Sequence, residues 1–152
     1  MQNNKIVLFL GVLFFGLVSA GSVLERQLYF AYGANMHPEN MSWRCPQALA
    51  KGTFVLRDWQ LKLYSHATVE PQNGTSVGGV LWEITPDCEM ALDAFEGYPS
   101  YYTKRTWIQD GVQFFFYEMT NPKSGRPSLG YVQDIQESYQ FWGINQPMEL
   151  CS

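Results

Sequence analysis

The sequence predicts an α+β fold: a small mixed, barrel-like sheet of five to six strands with flanking helices. Three observations carry this. Strand-like and helix-like runs follow mostly in the order βββαββα, without the regular alternation of a doubly wound sheet. One helix has capping residues at both ends, Thr85 and Gly97. One hairpin is set by the turn dipeptide Asp110-Gly111. With 152 residues, 46% hydrophobic and 16% charged, the chain holds enough apolar material for one core. With no repeat and no linker, it reads as one domain over residues 24–152.

Gln27 to Tyr32 is a strand that ends at Gly33, and a loop follows with Pro38 and Pro46 as breakers. Thr53 to Leu56 and Gln60 to Tyr64 are strand material separated by Arg57-Asp58-Trp59. Pro71-Gln72-Asn73-Gly74 is a turn. Val77 to Ile84 is a near-continuous apolar strand, and its Gly78-Gly79 pair marks a bend or the close approach of a backbone or ligand. The best-defined helix follows: Thr85 caps it, Pro86 fits its first position, and Asp87 sits in its first turn. Its expected inward stripe is Cys88, Ala91, Leu92 and Phe95, and Gly97 stops it. Tyr101 to Gln109 and Val112 to Met119 form the hairpin. Ser128 caps a last helix with the stripe Val132, Ile135, Tyr139 and Trp142, stopped by Gly143.

The N-terminus is a different object. A short polar, basic start at Met1 to Lys5 leads into an apolar run from Ile6 to Val18. Small residues then stand at Ser19 and Ala20, which is the layout of a secretory signal over residues 1–20 cut before Gly21. The nineteen uncharged residues from Ile6 to Leu24 also suffice for a spanning anchor. The chain is expected to be exported or secreted if the signal is cleaved; membrane-anchored or cytoplasmic is the alternative, and a membrane is a partner only if the segment stays. Cys45, Cys88 and Cys151 include no CxxC pair. In an exported protein Cys45 with Cys88 is the favoured bridge, Cys151 lying near the chain end. Three ordinary thiols is the other reading, and both stay open.

A net charge of −4 without any run of Lys or Arg argues against a nucleic-acid partner. Neither GxGxxG nor GxxxxGK[ST] occurs, so no nucleotide site is indicated. His37 and His66 lack neighbours at ligand spacing, so no metal and no cofactor is expected; His66 reads as structural or cleft-lining. Two segments carry chemistry instead. The turn Tyr32-Gly33-Ala34-Asn35 follows a strand and can present successive N–H groups to an anion. Glu96 closes a helix, where the dipole disfavours negative charge, and Phe95 and Tyr98 flank it. Burial there would raise its pKa toward the range of a general base.

The order of motifs resembles the gamma-glutamylcyclotransferase-like family. That family has Tyr-Gly-Ser-Asn after a strand, then a Gly-led apolar strand, Leu-Asp-x-x-Glu-Gly, a Tyr with Arg or Lys, and a late Pro-Ser-x-x-Tyr. Here these read Tyr32-Gly33-Ala34-Asn35, Gly79-Val80-Leu81-Trp82, Leu92-Asp93-Ala94-Phe95-Glu96-Gly97, Tyr102-Thr103-Lys104-Arg105 and Pro127-Ser128-Leu129-Gly130-Tyr131, over about Leu28 to Gly143. Ala34 stands where the family usually has Ser, losing a hydroxyl and keeping the N–H.

The resemblance implies a compact barrel with flanking helices, acting without a cofactor on a small gamma-glutamyl amide. The substrate's α-amine attacks its own γ-carbonyl and releases 5-oxoproline with an amino acid or amine. Glu96 is the implied acid/base. Tyr32, Gly33, Ala34 and Asn35 are implied to bind the glutamyl end, with Gly79, Tyr102 and Tyr131 as further substrate contacts and Tyr98 and Gly78 as walls. A gamma-glutamylamine substrate of isopeptide type and a non-catalytic binding module of the same fold are the alternatives. The leaving group and oligomeric state are left open.

Overall fold

The computed structural model describes residues 25–150 apart from Ser124, so the segment read as signal or anchor, and Cys151, lie outside the described residues. Strands β1 (Gln27–Ala31), β2 (Leu49–Leu63), β3 (Ala67–Ile84), β4 (Tyr102–Gln109) and β5 (Val112–Met119) form one sheet in the order β2-β3-β1-β5-β4. The central β1 runs antiparallel to β3 and parallel to β5, which makes the sheet mixed. Helices α1 (Pro38–Arg44), α2 (Pro86–Glu96) and α3 (Leu129–Trp142) flank it. The core gathers Phe30 from β1, Leu56 and Leu63 from β2, and Val69 and Ile84 from β3. Phe114 and Phe116 from β5, Leu92 from α2 and Ile135 from α3 complete it.

The expected barrel does not close. The sheet curls until its two edge strands meet, but a side chain joins them where a ladder would have to run. Arg57 N–H donates to Gln109 Oε1 at 3.0 Å, and Gln109 Nε2 donates to the Val55 carbonyl at 2.9 Å. The amide thus occupies the β2 groups that a closing ladder to β4 would need.

Other elements differ in instructive ways. The two strand pieces around Arg57-Asp58-Trp59 are one strand with a register shift, where Asp58 takes a φ of 63°. Opposite it, the Pro71 to Gly74 turn bulges out of the continuous β3, held by Gly74 N–H on Asp58 Oδ1 at 2.9 Å. The segment read as a loop after Gly33 contains α1, with Pro38 in its first turn and His37 Nδ1 accepting from Glu39 N–H at 3.3 Å. A proline there costs no helical hydrogen bond.

The caps of α2 and α3 are as expected: Thr85 and Ser128 accept from Cys88 N–H and Tyr131 N–H, and Gly97 and Gly143 take left-handed conformations. The stripe of α2 is not. Cys88 and Leu92 are buried, but Ala91 and Phe95 are exposed, while Glu89, Asp93 and Glu96 are partly covered. The helix turns a carboxylate row toward the sheet because partners wait there: Lys104 Nζ bonds Glu89 and, at 2.9 Å, Asp93 Oδ2, and Tyr117 donates to Asp93 Oδ1 at 2.6 Å. Cys45, just past α1, is bridged to Cys88 in α2 with Cα atoms 5.1 Å apart, so the two helices are tied directly.

Candidate active site

β1 delivers the chain into the glycine turn, which continues as a single 3-10 turn over Ala34–Met36, closed by Met36 N–H on the Gly33 carbonyl at 3.0 Å. The glycine is favoured by close approach and not by its φ of −117°: a Cβ on Gly33 would lie 3.1 Å from the Tyr131 hydroxyl, which would have to give by a few tenths of an ångström. Asn40 Nδ2 holds the Ala34 carbonyl at 2.9 Å, which pins the turn to α1. The first N–H groups of such a turn have no partner inside it.

Asn35 is buried, with both amide hydrogens and one lone pair of its oxygen engaged. Its Nδ2 donates to Glu96 Oε1 at 2.8 Å and to the Tyr29 hydroxyl at 3.0 Å, while Oδ1 accepts from Arg44 Nη1. Glu96 ends α2 and points its carboxyl into a cavity of about 230 Å³. Burial pushes its pKa up to about 7, against the opposing pull of the Arg44 charge and the Asn35 hydrogen bond. That is the range in which a carboxylate both takes and returns a proton near neutrality.

The rest of the wall is mostly phenolic. The Tyr102 hydroxyl donates to the Ala67 carbonyl at 2.6 Å, and the Tyr131 hydroxyl accepts from Ala67 N–H at 3.0 Å. Tyr131 therefore keeps its own hydrogen for a ligand. Burial pushes its pKa up to about 12 and raises those of Tyr29, Tyr32, Tyr102 and Tyr117, so these phenols stay neutral. Tyr32 spends its hydroxyl on the Tyr117 carbonyl. At the exposed rim His66 Nδ1 lies 2.9 Å from the Tyr101 hydroxyl, and Asp134 adds a carboxylate. Among the described residues no group of three His, Cys, Asp or Glu side chains converges as a metal site would.

Of the residues singled out in the sequence, Tyr32, Gly33, Ala34, Asn35, Glu96, Tyr102 and Tyr131 line this one cavity, and His66 joins them. Gly79 does not. A Cβ there would lie 2.3 Å from the Ala31 carbonyl oxygen and 2.6 Å from the Phe30 ring, so the glycine serves the packing of β3 on β1. Gly78 faces Ile144, and Tyr98 stands under Lys104 Nζ, 4.4 Å from its ring centroid; neither lines the cavity. Sequence reading missed Tyr29, Arg44, Tyr101, Tyr117 and Asp134. Tyr29 had a signal, since it alternates with Phe30 at the foot of the glycine turn. Arg44 had none, because it lies in the unrecognised helix.

Comparison with known proteins finds relatives in sequence and in fold. Residues 29–136 match the family model described as gamma-glutamyl cyclotransferase, AIG2-like. A gamma-glutamylcyclotransferase from Bos taurus is 30% identical over 129 residues, covering 73% of this chain and 69% of that protein. A solved gamma-glutamyl cyclotransferase structure superposes with a TM-score of 0.72 at 28% identity, covering 79% of this chain and 82% of the other. An uncharacterised protein from Homo sapiens does so with a TM-score of 0.71 at 29% identity and the same coverage.

Proposed function

This chain belongs to the gamma-glutamyl cyclotransferase, AIG2-like family, and from that premise we propose that it cleaves gamma-glutamyl amides by intramolecular cyclisation, with Glu96 as the single acid/base. The observation that carries the reading is the Glu96 carboxyl, held at a pKa of about 7 in the cavity wall and hydrogen-bonded to the last residue of the glycine turn.

The substrate brings its own nucleophile, so the protein supplies position and a proton carrier. The α-ammonium gives a proton to Glu96, and the freed amine lone pair bonds to the γ-carbonyl carbon. The γ carbon–nitrogen bond then breaks as Glu96 returns that proton to the departing nitrogen, and the ring nitrogen sheds its second proton, which leaves on the released amine as an ammonium. The products are 5-oxoproline and an amino acid or amine. Backbone N–H groups of the turn Tyr32 to Asn35 hold the glutamyl end, and the free hydrogen of Tyr131 donates to a substrate oxygen. Tyr29, Tyr102 and Tyr117 wall the buried end and exclude water, which strengthens each polar contact inside. The leaving group lies toward the rim formed by His66, Tyr101 and Asp134.

The test is 5-oxoproline release by the purified protein on a panel of gamma-glutamyl amino acids and gamma-glutamylamines, with Glu96→Gln as control. Release that the substitution abolishes supports the reading and names the leaving group. A folded protein silent on the whole panel would overturn it in favour of a ligand-binding role.

A further inference from the structure

We infer that Arg44 is a positioning residue for Glu96, acting through Asn35 and through the end of helix α2. The inference rests on the reading of Glu96 as the acid/base, and three contacts carry it. Arg44 Nη1 donates to Asn35 Oδ1, which leaves only the Asn35 NH₂ group to face Glu96 and Tyr29. The guanidinium carbon lies 3.6 Å from the centroid of the Phe95 ring, the residue before Glu96, so one side chain grips the turn and the helix end together. The next residue, Cys45, is bridged to Cys88 two helical turns before Glu96, which fixes α1 to α2.

A planar fork suits both tasks. It bonds in its plane and stacks on its face, which an ammonium cannot reproduce. The groups around Glu96 leave the electrostatic part to Arg44 as well. Tyr29 and Tyr32 from β1 and its turn, Tyr102 and Tyr117 from the hairpin and Tyr131 from α3 are all neutral phenols. His66 and Asp134 are exposed at the rim, and Asp134 interacts with Arg44. Among the described residues Arg44 is the only Lys or Arg lining the cavity.

The experiment follows the Glu96 carboxyl directly, by carbon-13 NMR of glutamate-labelled protein assigned with Glu96→Gln, beside kcat and KM. Arg44→Met is expected to raise the Glu96 midpoint by about one pH unit, the scale of a lost cation partner. Arg44→Lys is expected to restore most of that midpoint without restoring kcat, since it keeps charge and loses the fork. A midpoint unmoved in folded Arg44→Met, or wild-type kcat in folded Arg44→Lys, overturns the proposal. Should Arg44→Met fail to fold, the kcat of Arg44→Lys decides alone. Because the titration needs no substrate, a shifted midpoint in a protein that releases no 5-oxoproline would uphold the role of Arg44 and sink the proposed activity instead.

Discussion

Asn35 Nδ2 donates to Glu96 Oε1 at 2.8 Å, across 61 residues of sequence. This bond joins the strand-borne glycine turn to the end of α2, the two segments for which the sequence predicts chemistry. It also binds a buried carboxyl by a neutral donor, so that with Arg44 it only partly offsets the effect of burial.

Glu96→Gln is expected to abolish turnover while raising stability. A positioned acid/base contributes roughly 10²–10⁴-fold, so activity should fall at least that far. The folded-state pKa of about 7 exceeds the ordinary 4.5, so ionised Glu96 disfavours the folded state. That cost is absent below pH 4.5 and complete above about 7. Glutamine keeps the acceptor for Asn35 and removes the charge. Denaturation at pH 8 should show a gain on the order of 3 kcal/mol, vanishing at pH 4. Equal stability of the two proteins at both pH values would contradict the buried carboxyl.

The pH profile of kcat/KM carries a second expectation. The base form of Glu96 must be present in the free enzyme, so activity should rise with pH through a midpoint of about 7. An ordinary carboxylate would place that limb near 4.5. A limb in the lower range would assign the proton transfer to a solvated acid elsewhere.

Two glycines separate site from scaffold. In Gly33→Ala the new methyl meets the Tyr131 hydroxyl at 3.1 Å, which must give by a few tenths of an ångström and loosen its 3.0 Å bond from Ala67. KM should rise several-fold with the fold intact. In Gly79→Ala the methyl meets the Ala31 carbonyl oxygen at 2.3 Å, which no side-chain motion relieves. Overpacking of this kind costs about 1–3 kcal/mol or more, and thermal unfolding should report it. A Gly79→Ala protein as stable as wild type, with a raised KM, would return Gly79 to the binding site.

What was legible in the sequence depended on whether its cause was local. Thr85, Pro86 and Gly97 delimit α2 through contacts within a turn, and Asp110-Gly111 sets its hairpin in the same way, so both were readable. The facing of α2 was not, because Glu89 and Asp93 turn inward for Lys104 and Tyr117, and those partners arrive from the β4–β5 hairpin. Closure of the sheet failed for a similar reason, since the amide of Gln109 reaches β2 across 52 residues. Even α1 was hidden by a proline read as a breaker at the one helical position that tolerates it. The cavity therefore showed its turn, Glu96 and, through the family resemblance, Tyr32, Tyr102 and Tyr131 in advance, while Arg44 and Tyr117 needed the fold.

The bridge between Cys45 and Cys88 makes the last prediction, one that couples stability to the site. It closes a sequence separation of 43, and constraining such a loop in the unfolded chain contributes about 4 kcal/mol on the chain-entropy view. Adding reductant, or replacing both cysteines by alanine, should lower the guanidinium midpoint accordingly. Both sulfurs are buried, so reduction should be slow until the protein opens. Because Arg44 precedes Cys45, the freed α1 also loosens the grip on Asn35, and kcat should fall in the folded double-alanine protein under conditions where wild type is unchanged. An unfolding midpoint indifferent to reductant would mean that the two thiols stand side by side unbridged in solution, leaving the placement of Arg44 to the packing of α1 on α2 alone.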